Sequence, residues 1–189
     1  IARDTRDSPF LPSKGNLVEF AYEQAFGEFS YPRLDLTLSQ FFTVWERADG
    51  TGKHTLQFRG ETVWTGDDTP VFERLYAGGF QSFRGFQFRG VAPRENSFRI
   101  GGQFMALGTA EYQFPITAGD GIRGVVFSDF GTVDTDVSLD KFRVSAGFGF
   151  RFFIPAMGPA PLAFDFAWPV LSEAEDNEQI FSFYVGTTF

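Results

Sequence analysis

The sequence predicts an all-β fold, an antiparallel up-and-down transmembrane β-barrel with about eight strands in this chain, and three observations predict it. Apolar and polar side chains alternate with a period of two along most of the chain. Aromatics make up 19% of residues and 27 residues are Phe, which suits a half-buried pleated surface better than a helix. Connections between the alternating runs are short and long in turn, as expected when tight turns gather at one rim of a barrel and longer loops at the other.

In chain order, the stub Ile1 to Asp7 reads as the end of a further strand, and the run near 16–27 alternates loosely. Strand 31–46 sets Leu34, Leu36, Leu38, Phe42 and Val44 against Arg33, Asp35, Thr37 and Ser39. Strand 53–66 sets Leu56, Phe58 and Trp64 against Gln57, Arg59 and Glu61. The long turn-rich loop 67–98 comes next, followed by the less regular strands 99–116 and 121–133. Strand 141–154 has one wholly apolar face, Phe142, Val144, Ala146, Phe148, Phe150 and Phe152, opposed by Arg143, Ser145, Gly147, Gly149 and Arg151. Strand 160–171 opposes Leu162, Phe164, Phe166 and Trp168 to Ala163, Asp165 and Ala167, and strand 179–189 opposes Phe181, Phe183, Val185 and Phe189 to Ser182 and Tyr184. Glycines and prolines punctuate these runs, with tight turns at 47–52, 117–120 and 155–159.

A soluble barrel also has one apolar face per strand, so a lipid-binding barrel with its apolar residues inside is the alternative. Three features favour a membrane. The strands reach or exceed the ~9–11 residues that cross a bilayer at a tilt, their apolar faces carry almost no charge, and their polar faces mix small residues with ions. A soluble core would not place Arg143 and Arg151 so regularly opposite Phe.

The chain reads as one domain over its 189 residues. A formal charge of -8 argues against a nucleic-acid partner. The absence of cysteine excludes disulfides and thiol chemistry. His54 has no nucleophile pattern around it, and Asp134, Asp136 and Asp140 lack the register of a calcium loop. The expectation is therefore no enzyme, no metal and no cofactor.

Arg84 lies between Phe83 and Gly85-Phe86 in the middle of the long loop, where a partly shielded guanidinium requires a carboxylate. Alternation puts Glu111 and Asp129 on the polar faces of the two strands that follow, within reach of a loop that folds back.

The ordered set Tyr76-Ala-Gly-Gly79, Phe83-Arg-Gly-Phe86, Glu111-Tyr-Gln-Phe-Pro115, Phe127-Ser-Asp-Phe-Gly-Thr-Val133 and Gly158-Pro-Ala-Pro-Leu-Ala-Phe164, closed by an aromatic C-terminal strand, resembles the barrel of BamA-type assembly factors and two-partner-secretion transporters. The resemblance covers essentially the whole chain and corresponds to the C-terminal half of a sixteen-stranded barrel that follows periplasmic POTRA domains, none of which is recognisable here. It implies that Phe83, Arg84, Gly85 and Phe86 form a loop latch, with Phe83 where the family usually has Val. It also implies that Glu111 and Asp129 are its lumen partners, and that Phe181, Phe183, Val185, Gly186 and Phe189 belong to a C-terminal sorting and seam strand. The implied function is insertion of β-barrel proteins into the bacterial outer membrane, or alternatively a plastid or mitochondrial one. The partners would be outer-membrane lipid, unfolded outer-membrane clients, periplasmic assembly subunits reached through POTRA domains, and a second copy if two chains combine. A passive pore or polypeptide-secretion channel on the same barrel is the alternative. Eight strands alone close around side chains only, whereas a folded-back loop needs a wide lumen, so the location of Arg84 distinguishes a small barrel from half of a large one.

Overall fold

The computed structural model describes residues 1–96, 98–154 and 160–186. Its strands are β1 (Ala2–Asp4), β2 (Gly15–Gln24), β3 (Pro32–Trp45), β4 (His54–Thr65), β5 (Gly85–Phe86), β6 (Arg94–Glu95), β7 (Phe98–Arg99), β8 (Phe104–Pro115), β9 (Ile122–Asp134), β10 (Arg143–Phe152), β11 (Leu162–Leu171), β12 (Glu178–Gln179) and β13 (Phe181–Val185). Nine of them form one antiparallel meander in the order β1-β2-β3-β4-β8-β9-β10-β11-β13. The N-terminal stub is its ninth strand, with Arg3 opposite Val18.

The sheet is open. Among the described residues β1 pairs with β2 and β13 with β11, and no ladder joins the two edges. This corrects the small closed barrel. The segment between β4 and β8 packs against one face of the wall, in the space that an eight-stranded barrel would fill with side chains. Leu75, Ala77, Phe83, Phe86 and Val91 of that segment form a buried cluster with Val63, Met105, Leu107 and Val133 of the strands.

The face covered by the segment is the polar one. Arg123, Asp129, Arg143, Ser145, Arg151 and Asp165 are buried there, while Leu38, Phe42, Phe58, Phe148, Trp168, Phe181 and Phe183 are exposed on the other. A lipid-binding barrel with its apolar residues inside requires the reverse, and that alternative is overturned. A hydrocarbon surround suits this arrangement, because backbone groups are paired along the ladders and the outward surface is aromatic and aliphatic. Outward glycines sit beneath aromatic rings: Gly108 pairs with Phe130 and Gly124 with Phe114, and a Cβ at either glycine would lie 2.3 or 2.6 Å from the partner's ring. His54 bonds through Nδ1 to Tyr112 Oη at 2.6 Å and packs edge-on to Trp45, an aromatic group at the short-turn rim.

Several boundaries differ from the sequence reading. The strand expected over 99–116 begins at Phe104, because Gly101 turns at φ +73° and Phe98–Arg99 folds back onto Arg94–Glu95 within the loop. The strand expected over 16–27 ends at Gln24, before the hairpin closed by Ala25 N–H donating to Tyr31 O. The strand expected over 179–189 is divided: Glu178–Gln179 leaves the wall to pair with β5, and Phe181–Val185 pairs with β11. Pro169 interrupts β11 at the bulge between Val144 and Ser145, where a missing N–H is tolerated. The turn at 155–159, the start of the Gly158-Pro-Ala-Pro motif and Phe189 lie outside the described residues.

The outward face predicts a depth-dependent penalty in the full-length parent. Phe148→Arg, in the middle of β10, is expected to cost about 2–4 kcal/mol and Ile116→Arg, at the short-turn rim, about 0–1 kcal/mol. Denaturant titration in lipid vesicles measures both, and equal costs would contradict a bilayer around this face.

Candidate functional site

The site begins with a loop tip that cannot turn without glycine. Gly85 has φ +94°, and a Cβ there would lie 3.1 Å from the Ser145 Cβ, so the backbone approaches the wall closely only in its absence. Phe83 and Phe86 are fully buried in the cluster under the loop, with ring centroids 4.8 Å apart. Between them Arg84 points into the wall and is 3% exposed.

Arg84 is held on every side. Its Nε and Nη2 donate to the two oxygens of Asp129 at 2.8 Å each, and its backbone N–H donates to Asp129 Oδ2 at 3.0 Å. Nη1 donates to Glu111 Oε2 at 2.7 Å and lies 3.5 Å from Asp165 Oδ2. The guanidinium carbon is 3.3 Å from the centre of the Phe127 ring, and Ser145 Oγ donates to the Arg84 carbonyl at 2.6 Å. Thr109 Oγ1 donates to Asp129 at 2.9 Å and fixes that carboxylate from the β8 side. Burial opposes a charge on Arg84, but Asp129, Glu111 and Asp165 more than reverse this and raise its pKa well above the ordinary arginine value. Arg84 is a fixed cation.

A second guanidinium completes the cluster. Arg151 Nη1 and Nη2 donate to the two oxygens of Asp165 at 2.6 and 3.1 Å, and Nη2 lies 3.8 Å from Glu111. Tyr184 Oη of the edge strand β13 donates to Asp165 at 3.2 Å, and its ring stacks on Phe80 of the loop at 4.7 Å. Two cations and three carboxylates are thus buried together, with their lone pairs satisfied largely by one another. Gly149 is required beside them, because a Cβ there would sit 1.9 Å from Asp165 Oδ1.

The loop is also tied by its backbone. Gly85 and Phe86 pair with Gln179 and Glu178, Gln87 N–H donates to Asn177 O at 2.8 Å, and Asn177 N–H to Gly90 O at 3.2 Å. The residues that lead into β13 are therefore hydrogen-bonded to the loop that carries Arg84.

Of the residues singled out in the sequence, Phe83, Arg84, Gly85, Phe86, Glu111 and Asp129 come together. Phe181, Phe183 and Val185 face outward on β13 and do not join them. Gly186, at φ +124°, lies one residue beyond that strand and donates to Pro161 O at 2.9 Å. Asp165, Arg151 and Tyr184 were on the polar faces read from alternation but were not assigned to the cluster. The signal that joins them is the register that sets Gly149 opposite Asp165 and Ala163 opposite both Arg151 and Tyr184.

Removing a cation from a closed ion cluster strands its partners. Arg84→Ala is expected to destabilise the full-length parent by about 3–5 kcal/mol, and the double variant with Asp129→Ala by less than the sum of the two singles. Unfolding in denaturant measures the cycle, and strict additivity would show that the pair is not coupled.

Comparison with known proteins agrees with this architecture. The chain matches the Omp85 superfamily domain over residues 1–189. It is 32% identical, over 100% of its own length, to the "Outer membrane protein assembly factor BamA" of Nitratidesulfovibrio vulgaris strain Hildenborough, covering 25% of that protein. It is 26% identical, over 99% of its length, to the protein of the same name from Neisseria meningitidis serogroup B, covering 28% of it. The chain therefore spans about a quarter of the length of the curated relatives it matches. The crystal structure of BamA from Haemophilus ducreyi lacking POTRA domains 1–3 superposes with a TM-score of 0.80 at 20% identity, over 96% of this chain and 40% of that one, a likeness of fold. The outward apolar wall and these relatives place the chain in an outer membrane. On the full-length domain match, the inverted wall and the similarity to the N. vulgaris protein, this chain belongs to the Omp85 superfamily.

Proposed function

We propose that the chain is the C-terminal barrel portion of an outer-membrane assembly factor, which inserts and folds β-barrel proteins into the outer membrane. In this reading Phe83-Arg84-Gly85-Phe86 is a latch that holds the long loop against Glu111 and Asp129, and β13 is the strand beside which an unfolded client strand pairs. The clients are unfolded outer-membrane polypeptides, and periplasmic assembly subunits deliver them.

The observation that carries this reading is the backbone pairing of β5 with β12. A loop anchored by one buried arginine holds the segment that feeds β13, and among the described residues β13 is an edge strand that pairs with β11 alone. Strand addition at a sheet edge takes its affinity from main-chain hydrogen bonds, so an edge strand such as β13 suits pairing with an incoming strand. The latch sets whether that edge is held. Identity to a named assembly factor along the whole chain supports the same activity.

The test is Arg84→Glu in the full-length parent, expressed as the sole copy. The expected outcome is accumulation of unfolded outer-membrane proteins and a loss of folded porin of about tenfold or more, because a carboxylate facing Asp129, Glu111 and Asp165 cannot stay on the wall. Unchanged growth and porin levels would remove the latch. Normal assembly of other barrels with loss of a single exported protein would instead favour a secretion channel.

A further inference from the structure

The hairpin β6–β7, within the segment that carries the latch, holds a pair of arginines with no salt bridge among the described residues. Arg94 and Arg99 are direct register partners across the two short strands, so their side chains leave the same face side by side. Like charges in that relation repel. No ion pair forms with either residue among the described residues, and Arg94 Nε, Arg99 Nε and Arg99 Nη2 are shielded from solvent without a hydrogen-bond partner. The acid whose charge acts on Arg99 is already engaged: Asp176 receives Arg143 Nε and Nη2 at 2.9 and 3.0 Å and the Glu173 N–H at 2.8 Å. A single weak contact, Arg94 Nη2 to Asn177 Oδ1 at 3.5 Å, is what the neighbouring loop offers. Burial, and then the charge of Arg94, lowers the pKa of Arg99 by more than the charge of Asp176 raises it.

In the wall below, by contrast, the buried guanidinium groups of Arg84, Arg143 and Arg151 are each matched by carboxylates. Two cations left face to face beside these paired clusters call for an anion from outside. Two guanidinium forks offer several N–H donors and two positive charges. A phosphate monoester has three acceptor oxygens and nearly two negative charges at neutral pH, whereas a carboxylate has two oxygens and one charge.

We propose that Arg94 and Arg99 form a binding site for a phosphate group, carried on a lipid headgroup or free in solution. The site is independent of the assembly reading, since it concerns a hairpin outside both the ion cluster and the edge strand.

The test uses the full-length parent in phosphate-free detergent solution, titrated with inorganic phosphate and followed by calorimetry. In a second arm it is mixed with phosphatidylcholine vesicles containing a phosphorylated glycolipid or its dephosphorylated form. Saturable binding in either arm, weakened about tenfold or more by Arg99→Gln and by Arg94→Gln, is expected. Binding of inorganic phosphate identifies a free-phosphate site, and binding only to the phosphorylated vesicles identifies a headgroup site. Arg99→Gln is also expected to be at least as stable as the wild type without phosphate and to gain nothing from its addition, a reversal that a purely structural arginine would not produce. If Arg99→Gln does not fold, wild-type binding that chloride cannot displace at matched ionic strength supports the site. Absence of saturable binding in both arms, undiminished binding by both folded variants, or displacement by chloride would overturn the proposal.

Discussion

One buried cation organises this molecule. Arg84 comes from a loop and its partners from the wall: Glu111 on β8, Asp129 on β9 and Asp165 on β11. Taking such charges out of water is expensive, and mutual pairing offsets the cost only when geometry and lone pairs are satisfied. The bidentate bond to Asp129, the ring of Phe127 beneath the guanidinium and the serine on its carbonyl meet that condition. Displacing the loop would leave three carboxylates against one remaining guanidinium, Arg151. The position of the long segment and the burial of the polar face beneath it both depend on this anchor.

The anchor has a mechanical reach beyond its own strands. Gly85, next to Arg84, pairs with Gln179, and Tyr184 of the edge strand shares Asp165 with Arg151 while stacking on Phe80. Both a backbone route and a side-chain route therefore run from the loop to β13. An electrostatic event at Arg84 is converted into the hydrogen bonding of an edge, which is the element that matters if strands are exchanged there.

Much of this was legible in the sequence. Alternation around Phe142 to Phe152 separated the lipid face from the polar face, and the position of Arg84 between Phe83 and Gly85, with Glu111 and Asp129 on polar faces downstream, located the charges that meet. What stayed hidden depends on register and on competition for backbone partners. Arg151 and Asp165 converge because Ala163 lies opposite Arg151 and Asp165 opposite Gly149, pairings that no single strand specifies. The division of the last strand at Ile180 carries no glycine or proline to mark it. It arises because Glu178 and Gln179 find partners on the loop, a non-local choice. At Gly101 the signal was present, since a positive φ ends the extended run, but a glycine within an alternating stretch reads equally as a bulge.

Amide hydrogen exchange in the full-length parent, comparing the wild type with Asp129→Asn, tests the coupling between anchor and edge most directly. Loss of one carboxylate charge should release the loop and speed exchange at Gln87, Asn177 and the β13 amides, while the amides of β2 and β3 keep their protection. Unchanged exchange at Asn177 and β13, with the Arg84 anchor weakened, would contradict the account.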